Sequence, residues 1–330
     1  MTIYDIATKA GVSVSTVSRV INKSKSVAPT TRTYVEKIMR EYNYFPNDMA
    51  RGLVHNSMKI IGVLTSDVRN MHFSSAAFIL ERCFFSWDYS TLLCNTGADI
   101  EKKIKYIKIF SRKKVDALVL LGSIFNDDII ERMICDYLPN TPVIISNGAL
   151  SIPNSYSVLA DHEYGMELAI EHLASKGHKR IAFSHTQFTF NIQRKIDGFS
   201  HALQRRGFPY DPSANLFLTD RSFDGATKSA EKIFSSGYDF TAVICSEDLL
   251  AIGTANLFKE KGLRIPKDIA IIGHDNSVFS LCSQPKLTTV DTKVEIIANI
   301  VANTLHDIFQ KRPTGQSTIV RPELIVREST

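Results

Sequence analysis

Thr2-Ile-Tyr-Asp-Ile-Ala-Thr-Lys-Ala-Gly-Val-Ser-Val-Ser-Thr-Val-Ser-Arg-Val-Ile-Asn22 is the stretch on which the reading of this 330-residue chain turns. Thr2 is placed to cap a helix over Ile3 to Ala10. Asp5 stands three positions on as the acidic member of a capping box, and Gly11 supplies the C-terminal stop. After a tight turn, Ser13 is placed to cap a second helix, Val14 to Asn22. Its Val17, Val20 and Ile21 fall on one side, and Ser15, Ser18, Arg19 and Asn22 fall on the other. A third helix is predicted from Pro29, a residue suited to the first helical position, with Val35, Ile38, Met39 and Tyr42 closing a miniature core. Helix, tight turn, and a second helix exposing short polar residues plus an Arg is the helix-turn-helix pattern, in which the start of the second helix enters the major groove. On spacing alone, a plain three-helix bundle with a solvated face fits as well.

Charge favours the nucleic-acid reading. Through His55 there are eight basic and four acidic residues, so +4 of the chain's formal +5 lies in the first sixth of its length. That is a small phosphate-binding head on a nearly neutral body, not a uniformly basic chain that coats nucleic acid. The five cysteines (Cys83, Cys94, Cys135, Cys245 and Cys282) are odd in number, contain no Cys-x-x-Cys pair and sit in or beside apolar stretches. They read as buried thiols of a reducing, cytoplasmic compartment. The first residues do not have the form of an export signal, and no stretch approaches 18 uninterrupted apolar residues, so no membrane span is expected.

From Lys59 onward the pattern changes. Ile60-Ile-Gly-Val-Leu-Thr-Ser66, Ser90 to Asn95, Val115 to Leu121 and Pro142 to Ser146 read as buried parallel strands, with helices near Phe73 to Trp87, Ile100 to Arg112 and Asp127 to Tyr137. A second series follows in Arg180 to Ser184, Ala214 to Leu218, Thr241 to Cys245 and Ile269 to Gly273. Its helices lie near Glu163 to Ser175, Ile192 to Arg206, Gly225 to Phe234 and Leu249 to Lys261. The prediction is two doubly wound parallel lobes with a ligand cleft between them, beyond the carboxyl ends of the strands.

No phosphate loop, dinucleotide-binding turn, nucleophile elbow or His-Glu-x-x-His pair occurs, and the nine histidines lack metal-ligand spacing. The chain reads as a non-enzyme without cofactor or metal. A sugar-binding or sugar-processing protein stays open as the alternative for the body alone, since the fold does not settle function.

The opening stretch, together with Val27, Thr31-Arg32, Tyr44-Phe-Pro-Asn47 and Ala50-Arg51-Gly-Leu53, closely resembles the lactose-repressor (LacI/GalR) family of bacterial transcription regulators. The resemblance continues through His172-Leu-Ala-Ser-Lys-Gly-His178, Asp248-Leu-Leu-Ala-Ile-Gly253 and Ile272-Gly-His-Asp275, and covers essentially the whole chain. It implies an α/β protein: a three-helix helix-turn-helix head plus a two-lobed, periplasmic-binding-protein-like core of doubly wound parallel sheets. The divisions expected are a head over 1–46 and a hinge helix and linker over 47–58. The N-terminal lobe takes 59–157 and 289–318, and the C-terminal lobe 158–288 and 319–330. The chain then crosses between lobes near Ser157, Leu287 and Ile319.

What the resemblance implies for partners is a homodimer on a roughly palindromic double-stranded operator, with a small-molecule effector, commonly a sugar or other metabolite. Some family members answer instead to a phosphorylated carrier protein. Val14, Ser15 and Arg19 match the family's base-reading positions. Arg can bond a guanine edge twice, and Val can touch a thymine methyl. Thr16, Ser18, Asn22, Thr31 and Tyr44 read as phosphate positioners or packing residues. Asn47, Ala50 and Leu53 match a hinge helix that enters the minor groove, Leu53 as the wedge between base steps. In the cleft, Asp275 matches a residue that accepts hydrogen bonds from ligand hydroxyls or ring nitrogens. His72 and Phe73 occupy the loop where the family often has aromatic contacts. Lys195, preceded by Arg194, stands where relatives carry a clamping Arg, and Glu247 stands where a polar amide is frequent. Lys brings a point charge rather than a planar fork, which changes what the site can grip.

Overall fold

The computed structural model describes residues 1–45 and 57–330. The hinge residues Asn47, Ala50 and Leu53 lie outside the described residues. Contacts divide the chain into two units, Met1–Met58 and Lys59–Thr330.

The first unit is three helices, α1 (Ile3–Ala10), α2 (Val14–Ile21) and α3 (Pro29–Glu41). Both expected caps form. The Thr2 hydroxyl accepts from Asp5 N while the Asp5 carboxylate accepts from Thr2 N at 2.7 Å, and Gly11 takes φ +62°. Ser13 Oγ accepts from Thr16 N at 3.1 Å. Each cap satisfies N–H groups that a helix start leaves without partners. Ile6, Ala7, Ala10, Val17, Val20, Val27 and Val35 are buried together. Tyr42 departs from expectation. It follows the last residue of α3 and is exposed, with the Lys9 ammonium 4.0 Å from its ring centroid. The chain reverses there, Tyr44 N bonding back to Met39 O at 2.8 Å, so Tyr44 packs against the head core instead.

The second unit holds two six-stranded sheets. In chain order the first lobe contains β1 (Ile60–Thr65), α4 (Met71–Ser86), β2 (Ser90–Asn95), α5 (Ile100–Lys113), β3 (Ala117–Leu121), α6 (Asp128–Tyr137), β4 (Val143–Ser146) and β5 (Ser155–Ala160). The second lobe follows with α7 (His162–Ser175), β6 (Ile181–His185), α8 (Phe190–Arg205), the short α9 (Pro212–Asn215), β7 (Leu216–Leu218), α10 (Phe223–Phe234), β8 (Ala242–Cys245), α11 (Asp248–Glu260), β9 (Ala270–His274), α12 (Val278–Cys282) and β10 (Thr288–Asp291). Then α13 (Val294–Phe309) and β11 (Ser317–Val320) return to the first lobe, and β12 (Glu323–Ile325) joins the second.

The first sheet runs β11-β5-β4-β3-β1-β2, parallel throughout; the second runs β12-β10-β9-β8-β6-β7, parallel except for the antiparallel edge pair β10 and β12. In each lobe the central strands are buried on both faces, as helices on both sides of a parallel sheet require. The strands carry each crossing a few residues past Ser157, Leu287 and Ile319, to the ends of β5, β10 and β11. These segments escaped recognition as strands because they are short or interrupted by Ser, Thr and Asp, so no continuous apolar run marks them. The thiols also differ from expectation. Cys245 alone is buried, while Cys135 and Cys282 are exposed on helices.

Strand order fixes where a site can form. The order reverses between β1 and β3 in one lobe and between β6 and β8 in the other, and loops leaving adjacent strands there turn to opposite faces, opening a crevice.

Candidate functional site

The two crevices face each other across one cleft, lined by the loops at the carboxyl ends of the strands and by the helix starts that follow them. From the first lobe come Asn70, His72 and Phe73 after β1, Gly122 and Ser123 after β3, and Asn147 after β4. From the second come His162 at the start of α7, Thr189 and Asn191 before or in the first turn of α8, Lys195 one turn on, Arg221 after β7, Glu247 after β8 and Asp275 after β9.

Local rules place these side chains. Asn70 caps α4, its Oδ1 accepting from His72 N at 2.9 Å, which leaves its Nδ2 to donate across the cleft to Glu247 Oε2 at 3.3 Å. Gly122 has φ +110°, and a Cβ there would lie 2.9 Å from the Phe73 ring, so only glycine lets that ring lie against the strand end. On α8, neighbouring residues point about 100° apart. Lys195 therefore turns inward, 5% exposed, donating to Ser246 O at 2.9 Å. Arg194 turns outward. Its side chain is 41% exposed and pairs with Glu163 at 3.2 Å, so it is not brought into the cleft lining with the other expected effector residues.

Four ionisable side chains, Lys195, Arg221, Glu247 and Asp275, meet here. Arg221 Nε lies 2.6 Å from Glu247 Oε1, and its guanidinium lies 6.0 Å from the Phe73 ring centroid. Asp275 Oδ1 lies 3.8 Å from His72 Nδ1 and accepts from Thr292 Oγ1 at 3.5 Å. Burial pushes the Lys195 ammonium below its ordinary range, opposed chiefly by Asp275 and Glu247. Burial raises the Glu247 carboxyl, and Arg221 pulls it back. Burial also holds His72 low against the pull of Asp275, and His162 and His274 well below the usual imidazole value. Burial thus favours the uncharged form of all three imidazoles.

Several buried polar atoms in or beside the cleft have no hydrogen-bond partner among the described residues: both ring nitrogens of His162 and of His274, Asn191 Oδ1 and Ser246 Oγ. Buried polar groups are seldom left unpaired, because desolvating one without a hydrogen bond is costly. Neutral groups able to donate or accept are suited to ligand hydroxyls or ring nitrogens. Among the described residues, no group of three or more His, Cys, Asp or Glu could hold a metal ion, and no helix is long and apolar enough to cross a membrane.

His72, Phe73, Lys195, Glu247 and Asp275 are thus brought together. Neither Arg221 nor His162 is among the cleft residues expected from the sequence. Arg221 lies in Asp220-Arg-Ser222, where no motif marks it. His162 carried a usable signal in its place just beyond a strand end, but the strand itself, β5, had gone unrecognised. Asp248 is buried and secures the loop after β9.

In the head, Ser15, Arg19 and Asn22 are exposed along α2, while Val14, Thr16 and Ser18 are half-buried, Val14 packing on the core. The hydroxyls of Ser15 and Thr16 both lie 2.8 Å from Ser13 Oγ. Thr31 and Tyr44 are half-buried.

A helix-turn-helix head carried on one chain with a two-lobed cleft defines the class, a regulator with separate DNA-binding and ligand-binding parts. The family described as bacterial regulatory proteins, lacI family, matches residues 2–47, and the periplasmic binding protein-like domain matches residues 170–330. An HTH-type transcriptional regulator of Lachnoclostridium phytofermentans is 34% identical over 333 residues, covering 100% of this chain and 99% of that relative. The HTH-type transcriptional repressor PurR of Aliivibrio salmonicida is 31% identical, covering 99% of this chain and 98% of that one. The lac repressor bound to ONPG in its repressed state is similar at a TM-score of 0.88 and 25% identity, over 100% of this chain and 99% of that chain. The chain belongs to the LacI family and is a DNA-binding transcriptional regulator.

Proposed function

We propose that this protein is a cytoplasmic repressor that binds a roughly palindromic operator as a homodimer and changes its grip when a small metabolite, a sugar or sugar derivative, enters the cleft. The observation that carries the reading is that His162 and Asn191, with buried polar atoms unpartnered among the described residues, line one cleft with Lys195, Arg221, Glu247 and Asp275. In this reading Asp275 accepts ligand donors, Lys195 and Arg221 donate, His72, His162 and Glu247 bond further polar groups, and Phe73 covers one ring face.

In the head, Val14, Ser15 and Arg19 read base edges, and Thr16, Ser18, Asn22, Thr31 and Tyr44 position the backbone. Asn47, Ala50 and Leu53 serve as the minor-groove hinge. Phe78 and Phe85, seven residues apart on α4 and 62% and 76% exposed, support a self-association face. The direction of control follows from which state the metabolite prefers.

Selection of bound duplexes from random DNA, repeated with a panel of neutral and acidic sugars, tests the reading. A two-fold symmetric consensus whose recovery changes with at least one sugar is expected. No preference over bulk competitor DNA, with and without the panel, overturns it.

A further inference from the structure

Asp275 is held in an unusual way. It and Asn276 take φ +94° and +47° in succession, two left-handed residues that are not glycine. Such backbone persists only where surrounding bonds over-determine it. Those bonds come from outside the turn. Asp248 Oδ2 accepts from Ser277 N at 2.6 Å and Ser277 Oγ at 2.8 Å, while its Oδ1 accepts from Thr289 Oγ1 at 2.6 Å. Asn276 N donates to that same Thr289 hydroxyl at 3.2 Å. Near the chain's end, Arg327 donates through Nη2 to Asn276 Oδ1 at 2.7 Å, and through Nη1 to Leu287 O at 2.8 Å.

We propose that Asp248 and Arg327 are positioning residues for Asp275: they clamp the two residues that follow it, Ser277 and Asn276, and so aim its carboxylate at His72 across the cleft. The use made of that carboxylate rests on the ligand-binding reading above; the clamp itself does not.

The residue types fit the task. Three donors converge on Asp248, and a carboxylate can accept them all, whereas an amide would set its own N–H₂ against one of them. Gly273 must lack a side chain because a Cβ would strike Asp248 Oδ1. Arg327 spans three acceptors, Asn276 Oδ1, Leu287 O and Ser280 Oγ, with one planar group, which a Lys ammonium on a flexible stem does not reproduce.

His72 is the reporter, since its Nδ1 lies 3.8 Å from Asp275 Oδ1. The other charges acting on it are Lys195 and Arg221, which disfavour its protonation, and Asp291, which favours it. The test is a pH titration of the His72 imidazole by NMR in the full-length protein, the signal assigned by its loss in His72→Gln. Asp275→Asn sets the scale and lowers the midpoint by about one pH unit, the effect of losing a near carboxylate. Asp248→Asn and, independently, Arg327→Ala are expected to lower it in the same direction, because each lets the carboxylate swing away. Arg327→Ala sits in the C-terminal tail, so it keeps the test alive if Asp248→Asn folds poorly. Midpoints equal to the parent's in a folded clamp variant overturn the proposal, as does an Asp275→Asn midpoint that does not move. Failure of the ligand-binding reading shows separately, as operator affinity indifferent to every sugar in the panel.

Discussion

Replacing Asp248 by Asn removes a buried titration whose size can be worked out. Its carboxyl is 2% exposed, and burial raises its pKa from 3.8 to about 7, against three hydrogen bonds that favour the ionised form. Between those two pH values the native protein holds a proton that the unfolded chain has released. The parent's stability from this group is therefore fully present below pH 3.8 and is lost as pH rises through about 7. A shift of roughly three units at about 1.4 kcal/mol each sets an upper bound on the order of 4 kcal/mol. Asn does not titrate. The gap between variant and parent should thus widen in the variant's favour from pH 4 to pH 8 by up to that amount. A constant offset from the altered bonding to Ser277 leaves this slope untouched. Urea unfolding followed by circular dichroism at several pH values measures it; groups remote from the Asp275 turn cancel in the difference, and the separately measured His72 midpoints correct for the one imidazole the clamp moves. Parallel stability curves for parent and variant would refute the reasoning.

Three further outcomes are expected. Arg19→Ala, at an exposed position on α2, should weaken specific operator binding by roughly 1 to 3 kcal/mol and relax one base preference; competition binding with single-base operator variants reads both, and an unchanged preference removes Arg19 from base reading. Gly122→Ala forces a side chain into backbone at φ +110° and against the Phe73 ring, and should destabilise the core by about 1 to 3 kcal/mol, as seen in chemical denaturation; a smaller loss means the ring has room to shift. Glu247→Gln weakens both the Arg221 pair and the cross-cleft bond to Asn70, so amide hydrogen exchange should quicken in the loops carrying Asn70 and Arg221, and exchange identical to the parent's would count against a cross-cleft link.

How much of this was legible depended on range. The head follows from bonds between residues three or four apart, which is why Thr2, Asp5, Gly11 and Ser13 announced their caps. Tyr42 was misread because helical periodicity continues on paper past the point where α3 stops, and only the return of Tyr44 to Met39 reveals the reversal. In the body, the central strands declared themselves as apolar runs, while β5, β10, β11 and β12 did not, being short and partly polar.

The cleft divides along the same line. Lys195 and Asp275 could be named from motifs, yet choosing Lys195 over Arg194 needed the rotation of α8 against the sheet. Arg221 needed the loop after β7 to fold over Glu247, a contact between residues 26 apart that no local pattern encodes. Helix starts and buried runs were readable along the chain, because they follow from nearest-neighbour bonding and apolar periodicity; the DNA-reading character of the head came from its local charge and from the family resemblance, since spacing alone also suits a plain three-helix bundle. Only the tertiary structure decided which charges face each other and which carboxylate is clamped, because pairing across a cleft depends on how separately folded loops are brought within a few ångströms.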